Sequence, residues 1–292
     1  MRSEIGALIS LLDDDSPTVL TAVTERLRAL GDEAVPALRR AGEDGPARTR
    51  GRARELIANI ERQAVFRALV ELAATPAPDL EEGAMLLASI HDPDLDRHAL
   101  AARLDEMAAS TRAALEGASP GRERLERFLG HLHGELAFKG DDREFGSWAN
   151  NFLDAVIDRR RGIPITLILI YILVGRRIGL VIDAINTPFR AIAFFREGAF
   201  ETYVDAFSGG RLLGYHDCIE LLIRAGFRGA AGRNLMKRMS SREILARMTR
   251  NLINFCATQG RELDGRDFVR FGQALEDHRQ LDGDRLVPPK GK

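Results

Sequence analysis

The stretch from Arg159 to Leu180, RRRGIPITLILIYILVGRRIGL, decides the fold. It contains an apolar run from Ile165 to Val174. Pro164 suits the first turn of a helix, where the N–H that proline lacks would have no partner, and Gly179 suits a helix end. We therefore predict a helix from Pro164 to Ile178 that is apolar on every face. Because arginines flank it and it is shorter than the roughly 30 Å of a bilayer core, the pattern indicates a buried core helix.

Three short segments of apolar, β-branched and aromatic residues follow this helix, and turn-forming residues separate them. They are predicted to be strands at Leu180–Ile185, Ala191–Phe195 and Tyr203–Phe207. Short connections between consecutive strands favour antiparallel pairing. The sequence therefore predicts an α+β fold, with a buried central helix laid against an antiparallel sheet.

Four sequence blocks in and around these elements form a recognisable set. They are Asn150-Asn151-Phe152-Leu153, Arg160-Arg161-Gly162-Ile163-Pro164-Ile165-Thr166-Leu167, Pro188-Phe189-Arg190-Ala191 and Asp205-Ala206-Phe207-Ser208-Gly209-Gly210. Together they resemble the SirB-type bacterial branch of the transglutaminase-like (papain-like) superfamily, and the pattern extends from Asp79 to Leu252. The resemblance implies a core in which a Cys at the start of the buried helix, a His and an Asp form a catalytic triad.

The chain departs from that triad at two of its three positions. The nucleophile of active members lies at the start of the buried helix, where this chain has Pro164, and Arg190 replaces the general-base His. An arginine stays protonated at physiological pH and cannot accept a proton. Only Asp205 remains, and a carboxylate without thiol and imidazole performs no acyl transfer. We interpret the chain as a pseudoenzyme, a non-catalytic regulatory or protein- or peptide-binding scaffold.

The site residues leave several interpretations open. Arg190 could be exposed and without a role, could pair structurally with Asp205, or could bind an anion in a residual cleft. Thr166 and Asn150 are further binding candidates, although an Asn beside a turn is also a structural residue. The alternative function is an enzyme of altered chemistry, a hydrolase or acyl-transfer enzyme built around Asp205 with Thr166 or His216. A salt bridge between Arg190 and Asp205 in a closed pocket would favour the scaffold, and an open cleft with His216 within hydrogen-bond reach of Asp205 would favour the enzyme.

Composition narrows the class of protein further. The formal net charge of the 292 residues is −1, so no global field recruits nucleic acid or a membrane surface. Two cysteines give no disulfide framework, and Met1-Arg2-Ser3-Glu4 does not begin a secretory signal. We expect a reduced, cytoplasmic protein with a protein or peptide partner, without cofactor, metal, nucleic acid or membrane, and with its oligomeric state left open.

The chain is predicted to divide into a HEAT-like helical module at residues 1–75, a SirB-type domain at 76–280 and a disordered tail at 281–292. Helices are expected before Leu12, from Pro17 to Gly31, and at Asp32–Ala41 and Arg48–Ile60. This module either packs on the next domain or offers a face to a partner. A glycine- and arginine-containing segment, Gly226–Arg233, is interpreted as a surface loop, with phosphate binding as the alternative.

Local patterns give four further expectations for the C-terminal domain. Asp217 with Glu220, and Ser240 with Glu243, have the spacing of capping boxes that open two helices. His131 and His133 are two positions apart on a predicted helix and so do not form a metal site unaided. Cys256 is expected to be a core residue. Cys218 could supply a displaced nucleophile, but it lies outside the position that the fold uses.

Overall fold

The computed structural model describes residues 2–188, 190–224, 226 and 236–278. The predicted tail, Phe189 and nearly all of the predicted loop at 226–233 lie outside the described residues. The chain forms two compact units, Met1–Ala68 and Leu69–Lys292. The domain boundaries predicted from the sequence stay predictions.

The first unit is helical. Its helices are α1 (Arg2–Ser10), α2 (Pro17–Leu30), α3 (Val35–Asp44) and the first part of α4 (Ala47–Ala73). Leu12, Leu27 and Leu38 are fully buried in the core that these elements share. Helix α2 begins at Pro17 as predicted. Helix α4 continues past the predicted end at Ile60, since no glycine or proline interrupts the chain between Arg52 and Ala73.

The second unit contains a sheet and a set of helices, of which α9 (Pro164–Ile178) is the central one. They are α5 (Leu80–His91), α6 (Arg97–Ala114), α7 (Arg122–Gly130), α8 (Leu153–Arg159), α9 (Pro164–Ile178), α10 (Tyr215–Arg224), α11 (Ser241–Gln259) and α12 (Glu262–Asp277). A single π-helical turn, His131–Glu135, follows α7. Among the helices within the described ranges, none is both long and apolar enough to cross a membrane.

The strands are β1 (Lys139–Gly140), β2 (Arg161–Gly162), β3 (Ile182–Asn186), β4 (Ile192–Glu197), β5 (Phe200–Asp205), β6 (Arg211–Leu213) and β7 (Lys237–Arg238). Strands β3 to β7 form a five-stranded antiparallel sheet in the order β6-β5-β4-β3-β7. The α+β architecture predicted from the sequence is thus confirmed. Strand β5 ends at Asp205 rather than at the predicted Phe207, because the carboxylate of Asp205 accepts hydrogen bonds from the N–H groups of Phe207 and Ser208 and turns the chain.

Helix α9 has the bounds that its sequence predicts, and every residue from Pro164 to Gly175 is buried. It packs against α6, α8, α11 and strands β3 and β4, so the core of the second unit surrounds it. At its C-terminus Gly179 adopts a left-handed conformation with φ of 80°, and the next N–H, from Leu180, donates to the carbonyl of Gly175 at 2.9 Å. This cap ends the helix and directs the chain into β3.

One of the two predicted capping boxes is present. The Oγ of Ser240 accepts from the N–H of Glu243 at 3.2 Å, and the carboxylate of Glu243 accepts from the N–H of Ser240 at 2.9 Å. The other prediction was wrong in register. Helix α10 begins at Tyr215, and Asp217 lies inside its first turn and accepts from the N–H of Gly214 at 2.7 Å. Asp217 therefore does not occupy the capping position.

Candidate functional site

The candidate site begins at the N-terminus of α9. Ile163 is extended and Pro164 occupies the first helical position, where it offers neither a nucleophile nor an N–H donor. The hydroxyl of Thr166 accepts from the N–H of Ile163 at 3.1 Å and lies 2.9 Å from the carbonyl of Asn150. Thr166 is fully buried, so its hydroxyl holds the start of the helix in place. Its predicted role in binding stays a prediction.

Asn150 lies in a 3₁₀ turn, Trp148–Asn151, that precedes α8. Its side-chain amide donates to the carbonyl of Glu144 at 2.7 Å, and its carbonyl oxygen accepts from Arg159 at 2.9 Å. Arg159 also binds the buried carboxylate of Asp141 at 2.9 Å. Both ends of the Asn150 amide are therefore used within the fold, as expected for an Asn beside a turn.

Arg190 and Asp205 form an ion pair. Nη1 of Arg190, in the connection between β3 and β4, donates to Oδ2 of Asp205 at 2.7 Å. The same oxygen accepts from the hydroxyl of Ser208 at 2.8 Å, while Oδ1 accepts from the N–H groups of Phe207 and Ser208. The Arg190 guanidinium also lies 5.1 Å from the centre of the Phe207 ring. Of the interpretations left open for Arg190, the structure contains the pairing with Asp205, and the carboxylate of Asp205 accepts hydrogen bonds from four donor groups.

The residues of the alternative, enzymatic interpretation are placed differently. His216 lies on the exposed start of α10, and among the described residues Asp205 makes no hydrogen bond to it. Cys218 is fully buried, and burial, with the negative charges of Asp217 and Asp205, raises the pKa of its thiol to about 12. Within the described part of the chain, Asp205 therefore has no histidine as a hydrogen-bond partner, and the Cys218 thiol is kept protonated at neutral pH.

A thiol titration tests this arrangement. Because Cys218 and Cys256 are both buried, we expect the native protein to react only slowly with a disulfide reagent such as 5,5′-dithiobis(2-nitrobenzoate) at pH 8. In guanidinium chloride the same reagent should titrate both thiols rapidly. Rapid release of one equivalent by the native protein would contradict the inert environment assigned to Cys218.

Tyr171, on the buried helix α9, makes a polar contact with His133 that was not predicted from the sequence. Nδ1 of His133 donates to the carbonyl of Phe138 at 2.7 Å, so Nε2 is left to accept a hydrogen bond from the hydroxyl of Tyr171. Burial lowers the pKa of His133, and burial, with the charge of Asp205, raises that of Tyr171. Both side chains are thus kept neutral.

No metal site is found among the described residues. His131 contacts the hydroxyl of Ser110 at 3.0 Å, whereas His133 contacts Phe138 and Tyr171, so the two imidazoles have separate partners. No group of three or more His, Cys, Asp or Glu in the described part of the chain is arranged to hold a metal ion.

An open cleft of about 630 Å³ lies at the start of α9. Its volume is within the usual range of ligand pockets, roughly 300 to 1,000 Å³. The lining residues come from the start of α9, the β3–β4 connection, the segment before α8 and one side of α11. They are Phe145, Gly146, Asn151, Ile163, Pro164, Ile165, Asn186, Pro188, Arg190, Ala191, Arg247, Arg250, Asn251, Asn254, Phe255 and Thr258. Three arginines and no acidic residue are among these described lining residues.

Two of these arginines lie on α11 and were not recognised as site residues from the sequence. Arg247 donates to the side chain of Asn186 and to the carbonyl of Thr187, both at 2.8 Å, and the Thr187 hydroxyl donates to the carbonyl of Arg190. Arg247 therefore positions the connection that carries Arg190. Arg250 is exposed and makes no hydrogen bond or ion pair with any residue that the structure describes. The only available signal was that Arg247 to Leu252 belongs to the resembling pattern.

Comparison with known proteins agrees with this architecture. Residues 98–250, just over half of the chain, match the model of the transglutaminase-like superfamily. A UPF0162 protein of Pseudomonas aeruginosa is 30% identical over 199 residues, which cover 68% of this chain and 72% of the relative. The chain therefore belongs to the transglutaminase-like superfamily and to the UPF0162 family.

Other relatives match the chain over a shorter length. F-box only protein 21 of Mus musculus is 30% identical over 137 residues, which cover 44% of this chain and 21% of that protein. The chain thus spans about a fifth of the length of this relative. A UPF0162 protein of Vibrio cholerae is 27% identical over 134 residues, 46% of this chain and 50% of the relative. No solved structure matches the chain significantly.

Proposed function

We propose that this protein is a non-catalytic, SirB-type member of the transglutaminase-like superfamily that acts by binding a protein or peptide partner. The observation that carries the proposal is the occupation of the triad positions by Pro164 and by Arg190, which is ion-paired to Asp205 at 2.7 Å. A cleft nevertheless remains open beside these residues. A cleft without catalytic side chains at the triad positions can still bind a ligand.

The triad positions of this chain lack groups that acyl transfer requires. Attack on a carbonyl needs a nucleophile with an adjacent base, and the resulting oxyanion needs hydrogen-bond donors. Pro164 supplies neither nucleophile nor N–H, and Arg190 cannot accept a proton. Asp205 is occupied by Arg190 and by the turn that it stabilises. These residues support a binding role and give no route to a covalent intermediate.

The N-terminal unit supports a partner-binding role in a different way. Its helices share a core built around Leu12, Leu27 and Leu38, and its sequence resembles a HEAT-like repeat of one to two units. Repeats of this kind commonly present helical faces to other proteins. We propose that this unit contributes a second surface for the same partner.

The proposal predicts that the purified protein has no transglutaminase, peptidase or deamidase activity. Ammonia release and peptide cleavage should stay at the buffer level when the protein is incubated with glutamine-containing peptides and a primary amine. If turnover is observed, Asp205→Asn is the variant to compare with Glu201→Gln, a control that removes an exposed carboxylate from the same strand. Turnover lost in the Asp205 variant and kept in the control, with both variants folded, would overturn the proposal.

A further inference from the structure

We propose that the cleft is a binding site for acidic peptides, in which Arg190 and Arg250 hold a side-chain carboxylate. This inference rests on the proposed function and names the ligand class of the same cleft. It is carried by the positive charges, the unused hydrogen-bond donors and the mixed polar and apolar lining of the cleft.

The charges that line the cleft are unbalanced. Among the described residues, Arg190 is the one arginine of the three that is paired with a carboxylate, that of Asp205. Arg247 binds neutral oxygens of Asn186 and Thr187, and its pKa is lowered by burial and by the nearby positive charge of Arg250. Like charges gathered around a concave surface raise the local potential and favour an anion there. The described lining residues supply no such anion.

The arginines also keep unused hydrogen-bond donors. Arg190 contacts Asp205 and Ser208 through Nη1, which leaves Nε and Nη2 without a partner among the described residues. Its side chain is 34% exposed and lines the cleft. No nitrogen of the Arg250 guanidinium has a hydrogen-bond or ion-pair partner among the described residues. A guanidinium donates to a carboxylate through two parallel bonds, so these groups match the shape of that ligand.

The remaining lining favours a peptide over a simple inorganic anion. Asn251 and Asn254 add side-chain amides that can pair with both the N–H and the C=O of a peptide backbone, while Phe145 and Phe255 offer apolar surface for neighbouring side chains. The start of α9 adds the positive end of a helix of 15 residues.

The chain contains its own reporter for this binding. Trp148 is the only tryptophan, and its ring centre lies 5.0 Å from that of Phe255, which lines the cleft. Tryptophan fluorescence of the full chain can therefore be titrated with a blocked pentapeptide, acetyl-Ala-Glu-Glu-Leu-Ala-amide, and with the same peptide carrying Gln at both Glu positions. Isothermal titration calorimetry gives a second readout that does not depend on Trp148.

We expect saturable binding of the Glu peptide at low ionic strength, with about tenfold weaker binding of the Gln peptide and a loss of affinity as salt is added. Arg250→Gln should weaken binding of the Glu peptide by about tenfold. The matched control is Arg196→Gln, which removes an exposed arginine on β4 outside the cleft and should leave the affinity unchanged. Because Arg250 is exposed and unpaired among the described residues, its variant should keep the native thermal unfolding curve.

Four results would overturn the inference. Two concern the peptides: no calorimetric binding of the Glu peptide at millimolar concentration, or equal affinity of the protein for the Glu and Gln peptides. The third is an unchanged affinity of Arg250→Gln for the Glu peptide. The fourth is displacement of the Glu peptide by inorganic phosphate that binds as tightly as the peptide does. The last result would assign a general anion site. None of these results would produce turnover, so the inference can fail while the non-catalytic function stands. Turnover that depends on Asp205 in the activity assay would instead refute that function.

Discussion

Leu169→Ala is expected to lower the free energy of unfolding of the second unit by about 2 to 5 kcal/mol, the range for truncating a fully buried aliphatic side chain. Leu169 is completely buried in α9, which the sheet and the surrounding helices cover on all sides. Removing its branched end leaves a cavity that rigid neighbours on every side cannot close. Ile170→Ala, at 1% exposure, should have an effect in the same range.

The measurement is urea unfolding followed by tryptophan fluorescence. The chain has two compact units, so a signal from the whole chain, such as circular dichroism, would combine the unfolding of both. Trp148, the only tryptophan, lies in the second unit, so its fluorescence reports on that unit. Val181→Ala is the control, since this aliphatic side chain directly beyond the end of α9 is 57% exposed and should change stability by less than about 0.5 kcal/mol. Losses below about 1 kcal/mol at both Leu169 and Ile170 would show that α9 is not the centre of the core.

The second large effect concerns Arg190 and Asp205. Asp205→Ala should cost about 3 kcal/mol, because it leaves the Arg190 charge and the N–H groups of Phe207 and Ser208 without their acceptor. Arg190→Ala should cost less, about 1 to 2 kcal/mol, since its side chain is 34% exposed and solvent screens the pair, while Asp205 keeps the donors of its turn. The double variant should recover part of the summed loss.

A double-mutant cycle of urea unfolding measures this coupling directly. The reference is Glu220 and Arg224, an ion pair on α10 whose side chains are 67% and 76% exposed, for which the coupling should be about 0 to 0.5 kcal/mol. Strictly additive effects at Arg190 and Asp205 would mean that the two side chains do not stabilise each other. Arg190 would then be free to face a ligand with all of its donors.

The types of residue at the triad positions could be read from the sequence, whereas the contacts of Arg190 and Asp205 depend on the fold. Pro164 and Arg190 exclude a nucleophile and a base wherever they lie, because neither side chain can perform those steps. The resemblance placed Arg190 and Asp205 near one another, and they are ion-paired. It did not indicate that Asp205 also terminates β5, because that role needs the N–H groups of the turn that follows.

What the sequence determined by itself was local. The bounds of α9 follow from Pro164, an apolar run and Gly179, whose effects act within one turn of the chain. The cleft was decided only by the tertiary structure. Arg247 and Arg250 lie on α11, far from α9 in the sequence, where the local pattern indicates only solvated arginines. They line the cleft because α11 packs beside α9 in the folded domain. Electrostatic interaction depends on distance in space, so the spacing of these three arginines in the sequence does not predict that they share one cleft.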